Sequence, residues 1–275
     1  MSTDRDMQIG LALGAGGARG WAHIGVLKVL EEKGIPIHMI AGTSIGAVVG
    51  AIYAKTLSSK ETEELITSTF PDRGVVKKRF YDFTFPKKGM LKGNKVRTLL
   101  RIGLQDINFS ALKIPLYVVA TNLITGEEVV IEKGAVADAL RASISIPGIF
   151  HPVELNGRWL VDGALANPVP VSVLIKKGAS FTISVFIEDR TQDKLTEQND
   201  LNILTILTRS FGIMGRRISS GASRLSDISI HIDVSGFQWD DFHRGPELIK
   251  LGEEATKDVI YQIKKQVPSD ILPPN

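Results

Sequence analysis

The feature that most restricts the fold is a serine set between two glycines, Gly42-Thr43-Ser44-Ile45-Gly46. A short apolar run of strand character, His38–Ala41, precedes it, and an apolar helical run, Val48–Ala54, follows. A chain turns from strand to helix that tightly only when the residues two before and two after the serine are small. The serine then projects from the turn beside amides at a helix N-terminus, where negative charge is stabilised. A serine N-cap, with glycines placed for packing, is the alternative reading of the same five residues.

The remaining sequence keeps the same rhythm. Strand-like runs at Gln8–Leu13, Phe181–Phe186 and Ile228–Val234 alternate with helical patterns at Trp21–Lys33, Ser44–Lys55, Lys60–Phe70, Lys95–Leu104, Ala135–Ser143, Val169–Lys177, Leu201–Ser220 and Pro246–Lys265. Two hairpins interrupt the alternation. Leu116–Thr121 and Glu128–Glu132 are joined through Thr125-Gly126, and Val153–Leu155 and Trp159–Val161 through Asn156-Gly157. Such a pattern predicts an α/β fold, a mainly parallel central sheet flanked by helices, with antiparallel hairpins. No linker separates two domains, so residues 1–275 read as one domain. Its catalytic region covers about 9–177, and its C-terminal helical region covers 201–266.

Gly14-Ala15-Gly16-Gly17-Ala18-Arg19-Gly20 joins the first strand to the first helix. Consecutive amides in such a loop form an anion-binding nest. A dinucleotide site wants G-x-G-x-x-G and a carboxylate near the end of the second strand. Counted from Gly14, the sixth position is Arg19, and the second strand ends in Ala41 and Gly42. An oxyanion hole, whose donors meet the charge developing on a carbonyl oxygen, is the other functional reading. A plain strand-to-helix loop is the third.

A serine nucleophile needs a base. Of the five histidines, His23 has the spacing of a packed helix residue, and His38 and His231 lie in strand-like runs. His151 precedes Pro152, and His243 lies in a polar loop. None has the context of a base. The carboxylate candidate is Asp162, which ends a short strand and enters a turn at Gly163, where catalytic groups of α/β folds emerge. Taken alone, these residues read first as an ordinary Asp-Gly turn.

Together these blocks resemble the patatin-like phospholipase family, in particular its bacterial and neuropathy-target-esterase-like members. The likeness rests on Gly10–Ile35, Ile40–Ala54, Leu140–Val153 and Leu160–Val171 in that order. It implies a Ser–Asp dyad without histidine, Ser44 as nucleophile and Asp162 as general base. It also implies an oxyanion hole around Gly16, Gly17 and Ala18, with Arg19 at a basic position beside it. Gly14, Gly20, Gly42, Gly46 and Gly163 complete the motifs. Ala15 stands where the family often has Gly, which touches only the geometry of the loop. The expected activity is that of a serine lipid acyl hydrolase of phospholipase, lysophospholipase or carboxylesterase type, with no cofactor and no metal. A non-catalytic regulator or lipid-binding protein on the same fold is the alternative.

Composition narrows the rest. The chain has 275 residues and no cysteine, which excludes disulfides, thiolate zinc sites and a cysteine nucleophile. Thirty-three basic against 30 acidic residues speak against a nucleic-acid binder. The near balance hides a local excess. Arg73–Arg101 holds ten basic residues against Asp82 alone, a net +9, interleaved with Phe80, Tyr81, Phe83 and Phe85. Residues 71–101 read as a lid-like segment that contacts anionic lipid, or as a solvated loop and helix face. The stripe in Leu201–Ser220 reads first as core, with a further contact such as an acyl pocket or dimer face. Met1–Met7 is polar and short, and Ile35–Ala54 holds too many glycines and polar residues for a membrane span. The expectation is a cytoplasmic protein, with peripheral contact at the inner face of the membrane through the basic segment.

Overall fold

The computed structural model describes residues 7–69, 82, 89–190 and 203–268. Most of the basic segment, including Arg73, Lys77, Lys78, Arg79, Lys87 and Lys88, lies outside them. Of its described cations, Arg97 forms a two-pronged pair with Asp138 at 2.6 and 2.8 Å, and Arg101 pairs with Asp106 at 2.7 Å. No described helix is long and apolar enough to cross a membrane.

Among the described residues eight strands form one sheet. β1 (Ile9–Leu13) leads through a 3-10 turn (Gly17–Trp21) into α1 (Ala22–Glu32), and β2 (Met39–Thr43) leads into α2 (Ile45–Thr56). Helices α3 (Ser59–Thr69) and α4 (Asn94–Leu104) precede the hairpin β3 (Leu116–Asn122) and β4 (Glu128–Ile131). After α5 (Val136–Ser143) comes the second hairpin, β5 (Val153–Leu155) and β6 (Arg158–Asp162), then α6 (Val171–Lys176) and β7 (Phe181–Glu188). Helices α7 (Ile203–Ser219) and α8 (Ala222–Leu225), strand β8 (Ile228–Asp233) and α9 (Gly245–Gln266) complete the order. The predicted elements are present, with ends moved by at most two residues.

Strands β3, β2, β1, β7 and β8 are neighbours in that order and parallel. The chain buries both faces of β1, which is why that strand reads as a continuous apolar run. Ile9, Leu11 and Leu13 face the cluster built with α1, α2 and α9, whereas Ala12 joins Val171, Val173 and Leu174 of α6. That split is the two-residue period of a strand.

The hairpins place the site. Val118 and Val119 pair with β2 and with β4, while Ala120 and Thr121 pair with β4 and with β6. Since a strand has two edges, β4 occupies one, and β2 and β6 follow each other along the other. Thr43, the last residue of β2, is opposite Val119, and Asp162, the last of β6, is opposite Ala120. Two strands therefore end one register step apart, head to head, and each ends at a candidate residue.

Candidate active site

Ser44 sits between β2 and α2 at φ 55°, ψ −124°, a region rarely used by residues with a side chain. Holding it there costs on the order of 1–3 kcal/mol. The flanking glycines explain how the chain permits it. A Cβ on Gly42 would run into the backbone of Ala47, and one on Gly46 into the carbonyls of Leu13 and Gly14. The Ser44 N–H donates to Ser143 Oγ at 2.8 Å, and the Ser143 hydroxyl donates to the Val119 carbonyl at 2.6 Å. Ser143, at the end of α5, thus ties the turn to β3. It lies inside a motif block, but its helical context gives no sign of this role.

The Ser44 hydroxyl donates to Asp162 Oδ2 at 2.8 Å, and the Ala164 N–H donates to Oδ1 at 2.9 Å. Both residues are buried, 5% and 4% exposed. The backbone of Asp162 is fixed twice. Its N–H donates to the Ser145 carbonyl at 3.0 Å, and Thr121 Oγ1 donates to its carbonyl at 2.9 Å. Behind Ser145 lies the buried guanidinium of Arg141, which donates to Ser145 Oγ and to the carbonyls of Lys92, Gly93 and His151. Burial lowers the pKa of Arg141 to about 10. Burial raises the Asp162 carboxyl to about 6, against the opposing pull of the Ala164 N–H and the Ser44 hydroxyl. Gly163 follows immediately, and a Cβ there would meet the Val119 carbonyl.

No hydrogen bond among the described residues joins a histidine to Ser44. His23 is fully buried in α1 and donates from Nε2 to the Gly14 carbonyl at 2.7 Å. Burial lowers its pKa to about 4, so it is neutral and packed, as its helical spacing predicts. His38 Nδ1 accepts the Ile9 N–H at 2.9 Å, and His231 Nδ1 lies 2.7 Å from Glu188 Oε1.

The glycine loop faces the same space. Gly14 and Ala15 donate their N–H groups to the carbonyls of Val185 and Pro168. The Ala18 N–H, which the motif groups with the oxyanion donors, instead donates to the Trp239 carbonyl at 2.7 Å. That bond holds the Ala18 amide within the protein. No hydrogen bond among the described residues takes the N–H of Gly16 or Gly17. Gly17 has φ +61°, and a Cβ there would crowd the Trp239 carbonyl. Arg19 braces the loop, with Nε donating to the Gly16 carbonyl at 3.2 Å and a guanidinium nitrogen 3.2 Å from Asp189 Oδ2. Burial lowers the pKa of Arg19, and Asp189 partly offsets this. Gly20 lies where any Cβ would overlap the Ile45 side chain, so the loop packs directly on α2.

A cavity of about 360 Å3 opens on Gly16, Gly17, Ser44 and Asp162. Phe211, Met214 and Gly215 of α7 form one wall. The described apolar residues of α7 do not form core. Ile206, Ile213, Met214 and Ile218 are all about half exposed, and the helix instead roofs the cavity. Toward α8 the cavity turns polar. Glu188 and His231 are joined at 2.7 Å, His231 stacks on Phe186 at 4.7 Å, and Arg216 donates to the Asp189 carbonyl. Ser223 Oγ is 3.5 Å from His231 Nε2 and 3.0 Å from Ser229 Oγ. Among the described residues no three His, Asp or Glu side chains are grouped to hold a metal.

The chain has relatives among known proteins. The sequence profile described as patatin-like phospholipase matches residues 11–175. An uncharacterized NTE family protein of Mycobacterium tuberculosis is 37% identical over 180 residues, 65% of this chain and 48% of that protein. Lysophospholipase NTE1 of Mycosarcoma maydis is 35% identical over 184 residues, 65% of this chain and 10% of that protein. The chain therefore matches about half the length of the mycobacterial relative and a small part of the fungal one. VipD from Legionella pneumophila shares the fold, with a TM-score of 0.55 at 14% identity over 95% of this chain and 68% of VipD.

Proposed function

The chain belongs to the patatin-like phospholipase family, and from that premise we propose that it hydrolyses carboxylic esters of lipids through Ser44 and Asp162. The observation that carries the reading is the 2.8 Å bond from the Ser44 hydroxyl to a buried carboxylate, beside the Gly16 and Gly17 amides, which take no partner among the described residues.

In the first half-reaction the Ser44 oxygen bonds to the ester carbonyl carbon while its proton passes to Asp162 Oδ2. The carbonyl electron pair moves onto oxygen, where the Gly16 and Gly17 N–H groups and the N-terminal end of α2 stabilise it. The Ser44 N–H, already bonded to Ser143, is not among these donors. Collapse breaks the bond to the alcohol oxygen, which leaves with the proton from Asp162. In the second half a water gives its proton to Asp162 as its oxygen bonds to the acyl carbon. Ser44 then departs and regains a proton. An ordinary carboxylate, with a pKa of ~3.9, is a weak base. Raised to about 6, Asp162 remains mostly ionised at neutral pH and is a better proton acceptor. The expected pH profile of kcat/KM has a rising limb near 6.

Ser44→Ala and Asp162→Asn, assayed against p-nitrophenyl esters and phospholipids, test the reading. General-base loss predicts that Asp162→Asn falls by about 10^2- to 10^4-fold, and Ser44→Ala by at least as much, with folded protein in both. Turnover at the wild-type level in either variant refutes the dyad.

A further inference from the structure

Ser44 belongs to two cavities. Besides the polar-ended one beneath α7, a second cavity of about 110 Å3 opens on Ser44, and the two share Gly17, Ser44, Ile146 and Trp239. The second is walled by Val48 of α2, by Val96, Leu99 and Leu100 of α4, and by Ile149 and Phe150. Among the described residues no charged side chain lines it. A small void continues from it past Val48, Leu99 and Leu100 toward Ile52, Leu65 and Gly103. An apolar path therefore runs from the nucleophile along the groove between α2 and α4. Among the described residues the polar and charged groups Arg19, Glu188, Arg216 and His231 line the other cavity.

An ester divides at its carbonyl carbon into an acyl half and an alcohol half, and once that carbon is bonded to Ser44 the two halves diverge. Each methylene moved from water into apolar surroundings contributes about 0.8 kcal/mol. A charged headgroup in the α4 cavity would lose its hydration with no partner. We infer that the acyl chain of the substrate lies in the α2–α4 cavity and that the alcohol half, with any charged headgroup, lies beneath α7. Leu99 and Leu100, common to the cavity and its extension, then set the acyl length accepted. The inference rests on Ser44 as nucleophile.

The test uses two plugs and one leaving group. Leu100→Trp narrows the α4 path. Gly212→Trp fills the α7 cavity, where a Cβ on Gly212 meets nothing within 4 Å. Wild type and both variants are assayed with p-nitrophenyl esters from acetate to palmitate, then with lysophospholipids of fixed acyl length. The expected result for Leu100→Trp is a fall in kcat/KM of about tenfold or more for decanoate and longer esters, with acetate and butyrate within about twofold. For Gly212→Trp the chain-length profile keeps its shape, while lysophospholipid turnover drops. Should Leu100→Trp fail to fold, Gly103→Leu, at the far end of the path, is expected to penalise only the longest chains. A Gly212→Trp profile cut to short chains, or a profile unchanged in the α4 variants, overturns the assignment. Full activity in Ser44→Ala overturns the underlying reading instead, so the two failures are separable.

Discussion

The two glycine-rich turns that follow β1 and β2 obey the same local rule, yet they are held in different ways. At Ser44 the strained backbone is fixed from nearby in space by one hydroxyl, Ser143, which bridges it to β3. The Gly14–Gly20 loop is fixed by the late part of the chain, through the Trp239 carbonyl on Ala18 and Asp189 on Arg19. One turn presents the proposed nucleophile, whose own amide is engaged. The other presents the Gly16 and Gly17 amides, which take no partner among the described residues. Catalysis by this account needs both. The first is set by residues of the core sheet, and the second depends on segments that pack against it from 170 or more positions away.

The largest effect separates the dyad from its surroundings. Asp162→Asn should abolish turnover yet stabilise the protein at neutral pH. The folded carboxyl has a pKa of about 6 against ~3.9 unfolded, so between those values the folded state binds more protons. Stability therefore falls as pH rises from about 4 to about 6, by roughly 2–3 kcal/mol, and stays lower above that. Asn removes this dependence. Thermal melts of both proteins at pH 4 and pH 8 should show the variant gaining at pH 8 only.

The second effect tests the loop. Gly17→Ala puts a side chain at φ +61° and against the Trp239 carbonyl. Displacing one oxyanion donor predicts a loss of about 10^2- to 10^3-fold in kcat with KM little changed. A loss confined to KM would mean that the loop only binds. Ser143→Ala is third. It leaves the Ser44 N–H buried without a partner, at a cost of about 1–3 kcal/mol in stability, and it should lower kcat while Ser143→Thr restores part of it. The smallest effect is Arg19→Gln, which removes a partly exposed pair with Asp189. It predicts under about 1 kcal/mol of stability and a modest fall in kcat.

These contrasts also mark how far the sequence could be read. β1 and α1 announce themselves because Ile9, Leu11 and Leu13 alternate with two buried faces and Gly34 stops the helix. The elbow is legible because both glycines hold fixed places in the turn, although only Gly42 is required by a local contact, with Ala47, while Gly46 is required by Leu13 and Gly14 of the neighbouring strand and loop. What brings Asp162 to Ser44 is not local. It follows from β2 and β6 ending one step apart on the same edge of β3, which joins residues 118 positions apart and leaves no period in the sequence. The bond from the Ala18 amide to the Trp239 carbonyl is equally non-local, since no motif surrounds Trp239. The stripe of α7 was read first as core because amphipathic spacing reports an apolar face, not whether another element or a cavity lies opposite.

A second serine, Ser223, stands near His231 and Glu188 in the same cavity, and it makes the decisive measurement sharp. Wild type and Asp162→Asn are treated with a fluorophosphonate, and the modified peptide is identified by mass spectrometry. The account predicts a single adduct on Ser44, formed at least a hundredfold more slowly in Asp162→Asn. An adduct on Ser223, or labelling of Ser44 at an unchanged rate without the Asp162 carboxylate, contradicts it.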